Sequence, residues 1–264
     1  MAAIQQPPPR QLAAEHIDHS RGRVARRSRV REVIFGMQDG LLTTLGLVSG
    51  VGGATADRNT ILLAAIAGSL AGVFAMGAGA YISSKSQLEV AEAEVERERR
   101  ELSEHPEREL EELVQLFELE GLPENDARVV ADKIAQRPHA MLNAMTQKEL
   151  GLQLGSAQPR AEGLVMGLAF LVGSLVPVAP WALFSTRATA GPLGLGFSPA
   201  LLWSVSATLV VLFAMGAGKS LLARRPALVG GIEIAAIGAL SGCAGYLLGT
   251  FLPRALGAHL GGLQ

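Results

Sequence analysis

Residues 33–53 read VIFGMQDGLLTTLGLVSGVGG, an apolar run that contains a single ionisable residue, Asp39. Its length matches the roughly 20 residues that an α-helix needs to cross about 30 Å of hydrocarbon. A helix is required because backbone groups left unpaired in lipid are too costly, and the run lacks the alternating pattern of a barrel strand. The stretch therefore predicts a transmembrane helix that carries a carboxylate.

Four further apolar runs of similar length predict an all-α, polytopic membrane protein with five transmembrane helices. The composition agrees: 49% of the residues are hydrophobic, 18% are charged, and the mean hydropathy is +0.30, which is too apolar for an ordinary soluble domain. The only cysteine, Cys243, lies in an apolar run and is interpreted as a packing residue. The four runs cover residues 60–84, 161–181, 199–222 and 227–252.

Charged residues are segregated along the chain. Of 24 acidic residues, 17 fall between residues 85 and 158, in a long insert between the second and third spans. The predicted organisation is a disordered basic tail at 1–30, spans one and two within 31–84, a helical insert at 85–158, spans three to five within 159–253, and a C-terminal tail at 254–264.

Basic residues predict the orientation in the membrane. An arginine cluster precedes span one, nine basic residues lie in the insert, and Lys219, Arg224 and Arg225 separate spans four and five. Five spans put all three places on one side, which the positive-inside rule makes the cytoplasm. Usage rich in alanine and arginine favours a bacterial plasma membrane, with a vacuolar membrane as the alternative.

A short sequence repeat links two spans. Residues 74–79 and residues 213–218 both read FAMGAG. The two spans run in the same direction, so the repeat is compatible with duplication of a two-helix unit. Close helix packing through glycine and alanine is the simpler interpretation.

Asp39 is the first residue that indicates chemistry, since an ionised carboxylate facing lipid costs at least roughly 2.5 kcal/mol. Met76 in span two offers a thioether, and a mixed oxygen and sulfur site favours late first-row metals over Mg(II) or Ca(II). Glu32 lies seven residues before Asp39, on roughly the same helix face, and suits an entrance. The alternative is that Asp39 is protonated and hydrogen-bonded to a neighbouring helix, and that Met76 is an ordinary core residue.

The insert contains a second group of candidate ligands. The helical pattern of span two continues to His105, and a helix over 60–104 would be about 67 Å long, twice the bilayer core. Glutamates and methionines then recur at spacings that share a helix face. The alternative is a solvated face whose glutamates pair with nearby arginines. The candidate metal ligands at these spacings are Glu94, Glu98, Glu101, Glu109, Glu112, Met141, Met145 and Glu149.

Two motifs carry a family resemblance. Residues 31–41, REVIFGMQDGL, and residues 76–83, MGAGAYIS, together with the Glu-rich insert, resemble the vacuolar iron transporter family over roughly residues 30–252. The resemblance implies a homodimer of five-helix protomers, a pathway at the dimer interface, and proton-driven export of Fe(II) from the cytoplasm. It places Asp39 and Met76 in the pathway and Glu32 at its entrance, and it makes the insert a cytoplasmic metal-binding domain. The insert ligands it implies are Glu98, Glu101, Glu109, Glu112, Met145 and Glu149.

Two positions depart from the family pattern. Many members have a proline shortly after Asp-Gly-Leu, where this chain has Leu42-Thr43-Thr44. Some have a second methionine where this chain has Thr146, so either Met141 substitutes for it or one ligand is absent.

The sequence thus predicts a proton-coupled exporter of Fe(II), and it does not distinguish Fe(II) from Mn(II) as the substrate. It predicts no permanently bound cofactor. Its partners are a divalent metal, the lipid bilayer and a second copy of the chain, with no nucleic acid. The sequence contains neither a phosphate-binding loop nor a paired nucleophile and base, the features that would indicate an enzyme. A membrane-anchored metal buffer or sensor is the main alternative, although it needs no carboxylate in mid-membrane. A proton-coupled carrier of organic cations would leave the insert without a role.

Overall fold

The structure, a computed structural model, describes residues 9–149, 151, 157–184, 197–255 and 257, with side chains from residue 30 onward apart from residue 254. Helices account for nearly all of these residues. In chain order they are α1 (Pro9–Ala54), α2 (Arg58–Glu104), α3 (Pro106–Leu119), α4 (Glu124–Ala135), α5 (Pro138–Lys148), α6 (Pro159–Leu183), α7 (Pro199–Leu222) and α8 (Ala227–Ala255).

The predicted all-α membrane protein with five transmembrane helices is confirmed. Five of the helices are long and apolar enough to cross a bilayer, and each contains one of the predicted spans. Large apolar side chains such as Leu63 and Phe74 are exposed on their surfaces, which is the expected arrangement where lipid is the solvent. The five spans lie in α1, α2, α6, α7 and α8.

Helix α1 begins earlier than the predicted span. Residues 1–8 of the predicted disordered tail lie outside the described residues, whereas the backbone from Pro9 onward is helical. Between Arg10 and Arg31 the sequence has no proline and is rich in alanine, arginine and other good helix formers. Extending an existing helix avoids the cost of a new nucleus, which accounts for the longer α1. The predicted C-terminal tail lies largely outside the described residues.

The chain divides into two compact units, and the first contains the five spans. All five spans contribute to one apolar cluster, so the unit has a shared core. Arg58, at the start of α2, donates to the carbonyl oxygens of Trp181 and Ala182 at the end of α6. The cluster comprises Val48, Ile61, Ala65, Trp181, Ala200, Leu201 and Tyr246.

Glycine allows α1 and α8 to pack closely. A Cβ atom on Gly249 would collide with the backbone carbonyl of Gly50, and one on Gly245 would collide with that of Gly46. The Ser241 hydroxyl donates to the Leu42 carbonyl oxygen at 3.0 Å across the same contact. Small residues at a helix interface are a general means of association in lipid, where apolar burial alone provides little drive.

The second unit, Ile82–Pro159, contains the end of α2 and the helices α3, α4 and α5. Helix α3 ends in a Schellman turn: Gly121 has φ +100°, and the Leu122 amide donates to the Phe117 carbonyl at 3.1 Å. The turn directs α4 back along α3. The apolar core of this unit comprises Leu113, Val114, Phe117, Ala127, Ala131, Met141 and Met145.

We expect Gly249→Ala to destabilise the first unit by roughly 1–3 kcal/mol, because the added methyl group would push α8 away from α1. Thermal unfolding in detergent, followed by tryptophan fluorescence, measures the effect. Gly218→Ala is the matched control, since no heavy atom lies within 4 Å of a Cβ at that position in α7. Equal melting temperatures for the two variants would contradict the close contact.

Candidate metal site

Three glutamates of the second unit form a cluster. Glu98 and Glu101 come from α2, and Glu109 comes from the first turns of α3. One carboxylate oxygen from each lies within 4.8 Å of the others. We call these residues the three-glutamate cluster. Their separation suits one divalent cation coordinated by oxygen from three side chains.

Burial makes this cluster different from a solvated acidic face. Glu98 and Glu109 are each only 1% exposed. As carboxylates, both oxygens of Glu98 and the Oε2 atom of Glu109 receive no hydrogen bond from the part of the chain that the structure describes. Buried anionic oxygens without donors are costly. A bound cation or a proton would relieve that cost, so the alternative of a solvated face does not describe these two residues.

The proton affinity of Glu98 reflects this environment. Loss of surrounding water, followed by the charges of Glu149 and Glu109, raises the pKa of Glu98 to about 7. Burial and then the charge of Glu112 raise the pKa of Glu149. The interaction between the two carboxyl groups raises the pKa of Glu98 and lowers that of Glu149, so it favours the proton on Glu98. Protons and a cation therefore compete for the same oxygens.

The other predicted glutamates are placed unequally. Glu149, at the end of α5, lies beside Glu98, and Glu112 lies one helical turn after Glu109 and is close enough for its charge to affect Glu149. Five of the six predicted insert ligands therefore lie close together: the three members of the three-glutamate cluster, and Glu112 and Glu149, whose charges interact with it. Glu94 pairs with Arg97 at 3.3 Å and is not a member of the three-glutamate cluster.

Methionines of α5 lie in the apolar core of the second unit. Met145 is fully buried and Met141 is 5% exposed, and both belong to the cluster that contains Leu113. Both side chains therefore contribute to the hydrophobic core, and the ligand role of Met145 stays a prediction. Thr146 is also buried, and its hydroxyl donates to the Leu142 carbonyl at 2.6 Å. That bond satisfies the hydroxyl within α5 itself.

In the first unit, Asp39 is half-buried on α1 and accepts a hydrogen bond from the Thr43 hydroxyl at 3.3 Å. Glycines on either side of it allow α6 to approach. A Cβ on Gly36 would lie 2.7 Å from the Met166 carbonyl oxygen, and one on Gly40 would collide with the Phe170 carbonyl. Asp39 therefore lies at the level of residues 166–174 of α6.

Met76 lies on α2, which also contacts α6. It is half-buried, and its neighbour Gly77 packs against α6, where a Cβ would lie 3.1 Å from the Gly163 carbonyl oxygen. Both α1 and α2 thus contact α6 at overlapping heights. Glu32 is 9% exposed and accepts from Arg31 Nη2 at 2.9 Å. Asp39 and Met76 share α6 as a neighbour, and the structure gives Thr43 as the hydrogen-bonding partner of Asp39.

A second carboxylate within a span, that of Glu233, is missing from the site residues predicted from the sequence. Glu233 lies in α8, six residues after the helix begins, and is exposed on its surface. The criterion that identified Asp39, an ionisable residue inside an apolar run, also identifies Glu233. Arg108, which pairs with Glu101 and Glu109 of the three-glutamate cluster, is also missing from the predicted site residues, because helical spacing makes it one of several arginines available for pairing.

Known proteins resemble this chain over most of its length. The model of the VIT family matches residues 30–250. The chain is 32% identical over 218 residues to vacuolar iron transporter 1 of Oryza sativa subsp. japonica, covering 82% of each chain. It is 29% identical over 220 residues to vacuolar iron transporter 1 of Arabidopsis thaliana, covering 83% of this chain and 84% of that one. It is 30% identical over 234 residues to the vacuolar iron transporter of Toxoplasma gondii, covering 88% and 76%.

We expect Mn(II) binding to the full-length, chelator-treated protein to weaken about tenfold from pH 8 to pH 6, because the metal binds the carboxylate form of Glu98 and competes with one proton. The affinity for Mn(II) is highest at pH values above the Glu98 pKa of about 7, and it falls as the pH drops through that value. Calorimetric titration measures the effect.

Glu98→Gln should bind less tightly and lose most of this pH dependence. Glu118→Gln, an exposed residue of α3, is the control and should behave as the parent. A parent protein whose affinity does not change with pH would show that Glu98 takes no part.

Proposed function

The chain belongs to the VIT family, and from that premise we propose that it transports iron across a membrane, exporting Fe(II), or the similar Mn(II), from the cytoplasm in exchange for protons. The observation that carries the proposal is the carboxylate of Asp39 inside an apolar span. A half-buried acid at that depth is favoured where a cation or a proton passes.

The first step is loading at the second unit. The three-glutamate cluster has three buried oxygens without hydrogen-bond donors among the described residues, and these suit a divalent cation. Glu112 and Glu149 add negative charge at its edge, which attracts the hydrated ion. Met145 would add a soft ligand to this site. Fe(II) is here the transported substrate rather than a resident cofactor.

The second step is passage through the spans. Glu32, at the start of the first span, receives the ion, and Asp39 with Met76 binds it after partial loss of its water. A carboxylate and a thioether together favour Fe(II) over the harder Mg(II) and Ca(II). The contacts of both α1 and α2 with α6 support this step, since α6 is a common neighbour of the two helices that carry these residues.

Protons from the opposite side then release the ion. Metal binding needs the deprotonated carboxylate, so protonation of Asp39 weakens the site. The exchange of metal for protons requires no ATP, in keeping with a sequence that has no phosphate-binding loop.

A homodimer is part of the proposal, with the pathway between two protomers. Exposed apolar side chains on α2, including Leu63 and Phe74, are compatible with burial in lipid or against a second copy. We place the N-terminus and the second unit on the cytoplasmic side, following the positive-inside rule. The names of the relatives favour a vacuolar membrane, whereas the composition of this chain favours a bacterial plasma membrane.

A metal buffer or sensor is the second candidate function. It is favoured by one observation: every member of the three-glutamate cluster lies within the compact unit Ile82–Pro159. Such a protein would bind Fe(II) without moving it. Uptake by proteoliposomes that contain a pH-sensitive dye distinguishes the two, because only the transporter moves protons with metal.

We expect Asp39→Asn to abolish Fe(II) uptake and the accompanying pH change, because it removes the charge and keeps the size of the side chain. Met76→Leu keeps volume at little packing cost and should reduce Fe(II) uptake beyond any loss of stability. Cys243→Ala, at an exposed position of α8, is the control. Parental uptake by Asp39→Asn would remove this residue from the pathway.

We expect simultaneous Gln replacement of five glutamates to raise the apparent KM for Fe(II) more than it lowers the maximal rate, because the loading site is lost while the site in the spans remains. The replaced residues are Glu98, Glu101, Glu109, Glu112 and Glu149. Liposome uptake over a range of Fe(II) concentrations, with the full-length chain, is the measurement.

The matched control replaces five exposed glutamates of the same unit and changes the net charge equally. These are Glu89, Glu92, Glu107, Glu118 and Glu124. If both sets of Gln replacements raise the KM equally, general negative charge rather than coordination attracts the metal, and the assignment of the loading site is wrong.

A further inference from the structure

Arg108 is the cation that contacts two members of the three-glutamate cluster. Its Nη2 and Nε atoms donate to Glu109 Oε1 at 2.8 and 3.1 Å, and Nη2 lies 3.8 Å from Glu101 Oε2. Arg97, also beside the cluster, pairs with Glu101 at 3.6 Å and otherwise with Glu94. Arg108 is thus the link between the carboxylates of α2 and α3.

The two oxygens of Glu109 have different surroundings. Both donor groups of Arg108 converge on Oε1, whereas Oε2 is buried and receives no donor from the described residues. The same holds for both oxygens of Glu98. The contact therefore occupies one oxygen of Glu109 and leaves the other available, together with those of Glu98, for a cation.

Burial distinguishes this pair from an ordinary surface ion pair, whose contribution is small. The Arg108 side chain is 58% exposed, but that of Glu109 is only 1% exposed. Without Arg108, neither oxygen of this buried carboxylate would have a hydrogen-bond donor among the described residues to hold its orientation. Carboxylates that bind metals are commonly oriented by such hydrogen bonds, and loss of the partner typically costs about 10–100-fold in affinity.

We propose that Arg108 is a positioning residue for metal loading: it holds Glu109 by Oε1 so that Oε2 and the Glu98 oxygens are presented together to a divalent cation. The inference rests on the proposed loading function of the three-glutamate cluster. Arg108 itself does not coordinate the ion, and its positive charge close to the site opposes a dication. Charge and orientation therefore predict opposite effects when Arg108 is removed.

The test is Mn(II) titration of the full-length protein in detergent, by calorimetry and by the electron paramagnetic resonance signal of free Mn(II). Orientation predicts that Arg108→Gln binds about 10–100-fold more weakly, and that Arg108→Lys recovers part of the loss because an ammonium can still donate to Oε1. Arg99→Gln is the matched control, since Arg99 pairs with Glu96 at 3.6 Å. Unchanged or tighter binding by Arg108→Gln would overturn the proposal.

A double-mutant cycle separates positioning from a general loss of structure. In a Glu109→Gln background, Arg108→Gln should produce little further loss, because the group that it orients is already gone. Additive losses would indicate that Arg108 acts on the fold and not through Glu109. If neither Glu98→Gln nor Glu109→Gln weakens Mn(II) binding, the loading function itself fails, and that result differs from a failure of Arg108 alone.

Discussion

A carboxylate removed from water needs a cation, a proton or a hydrogen-bond donor, and this requirement governs both regions of the chain that carry chemistry. In the second unit, α3, α4 and α5 pack around Leu113 and Met145, and Glu98 and Glu109 are buried in the same unit. The apolar core therefore does more than stabilise three short helices. It helps exclude water from the carboxylates, which raises the proton affinity of Glu98 and leaves oxygens available to a metal.

The spans meet a related constraint by different means. Their backbone groups are satisfied within helices, so contacts between helices depend on shape. Glycines bring α1 against α8 at Gly50 and against α6 at Gly40. Because α2 also packs on α6 through Gly77, this helix is the common neighbour of the segments that carry Asp39 and Met76. The glycines thus allow the close packing that brings the two helices of the proposed pathway against α6.

The nature of the ligands bears on selectivity. Oxygens from three glutamates form the cluster, while Met141 and Met145 lie in the apolar core of the same unit. Thr146 uses its hydroxyl within α5. A loading site dominated by carboxylates discriminates weakly among divalent ions, including Mn(II) and Fe(II). In the proposed mechanism, the thioether of Met76 in the spans therefore provides most of the preference for softer metals.

The sequence by itself determined the five spans, the helical insert and the candidate glutamates, because apolar length and helical spacing are local properties. It also identified Asp39, since an acid in an apolar run is conspicuous without a structure. Only the tertiary structure decided that Glu98 and Glu109 are buried, that Glu94 pairs with Arg97 instead, and that Arg108 holds one oxygen of Glu109. Burial and pairing depend on which helices pack together, and helical periodicity describes the faces of one helix but not its neighbours.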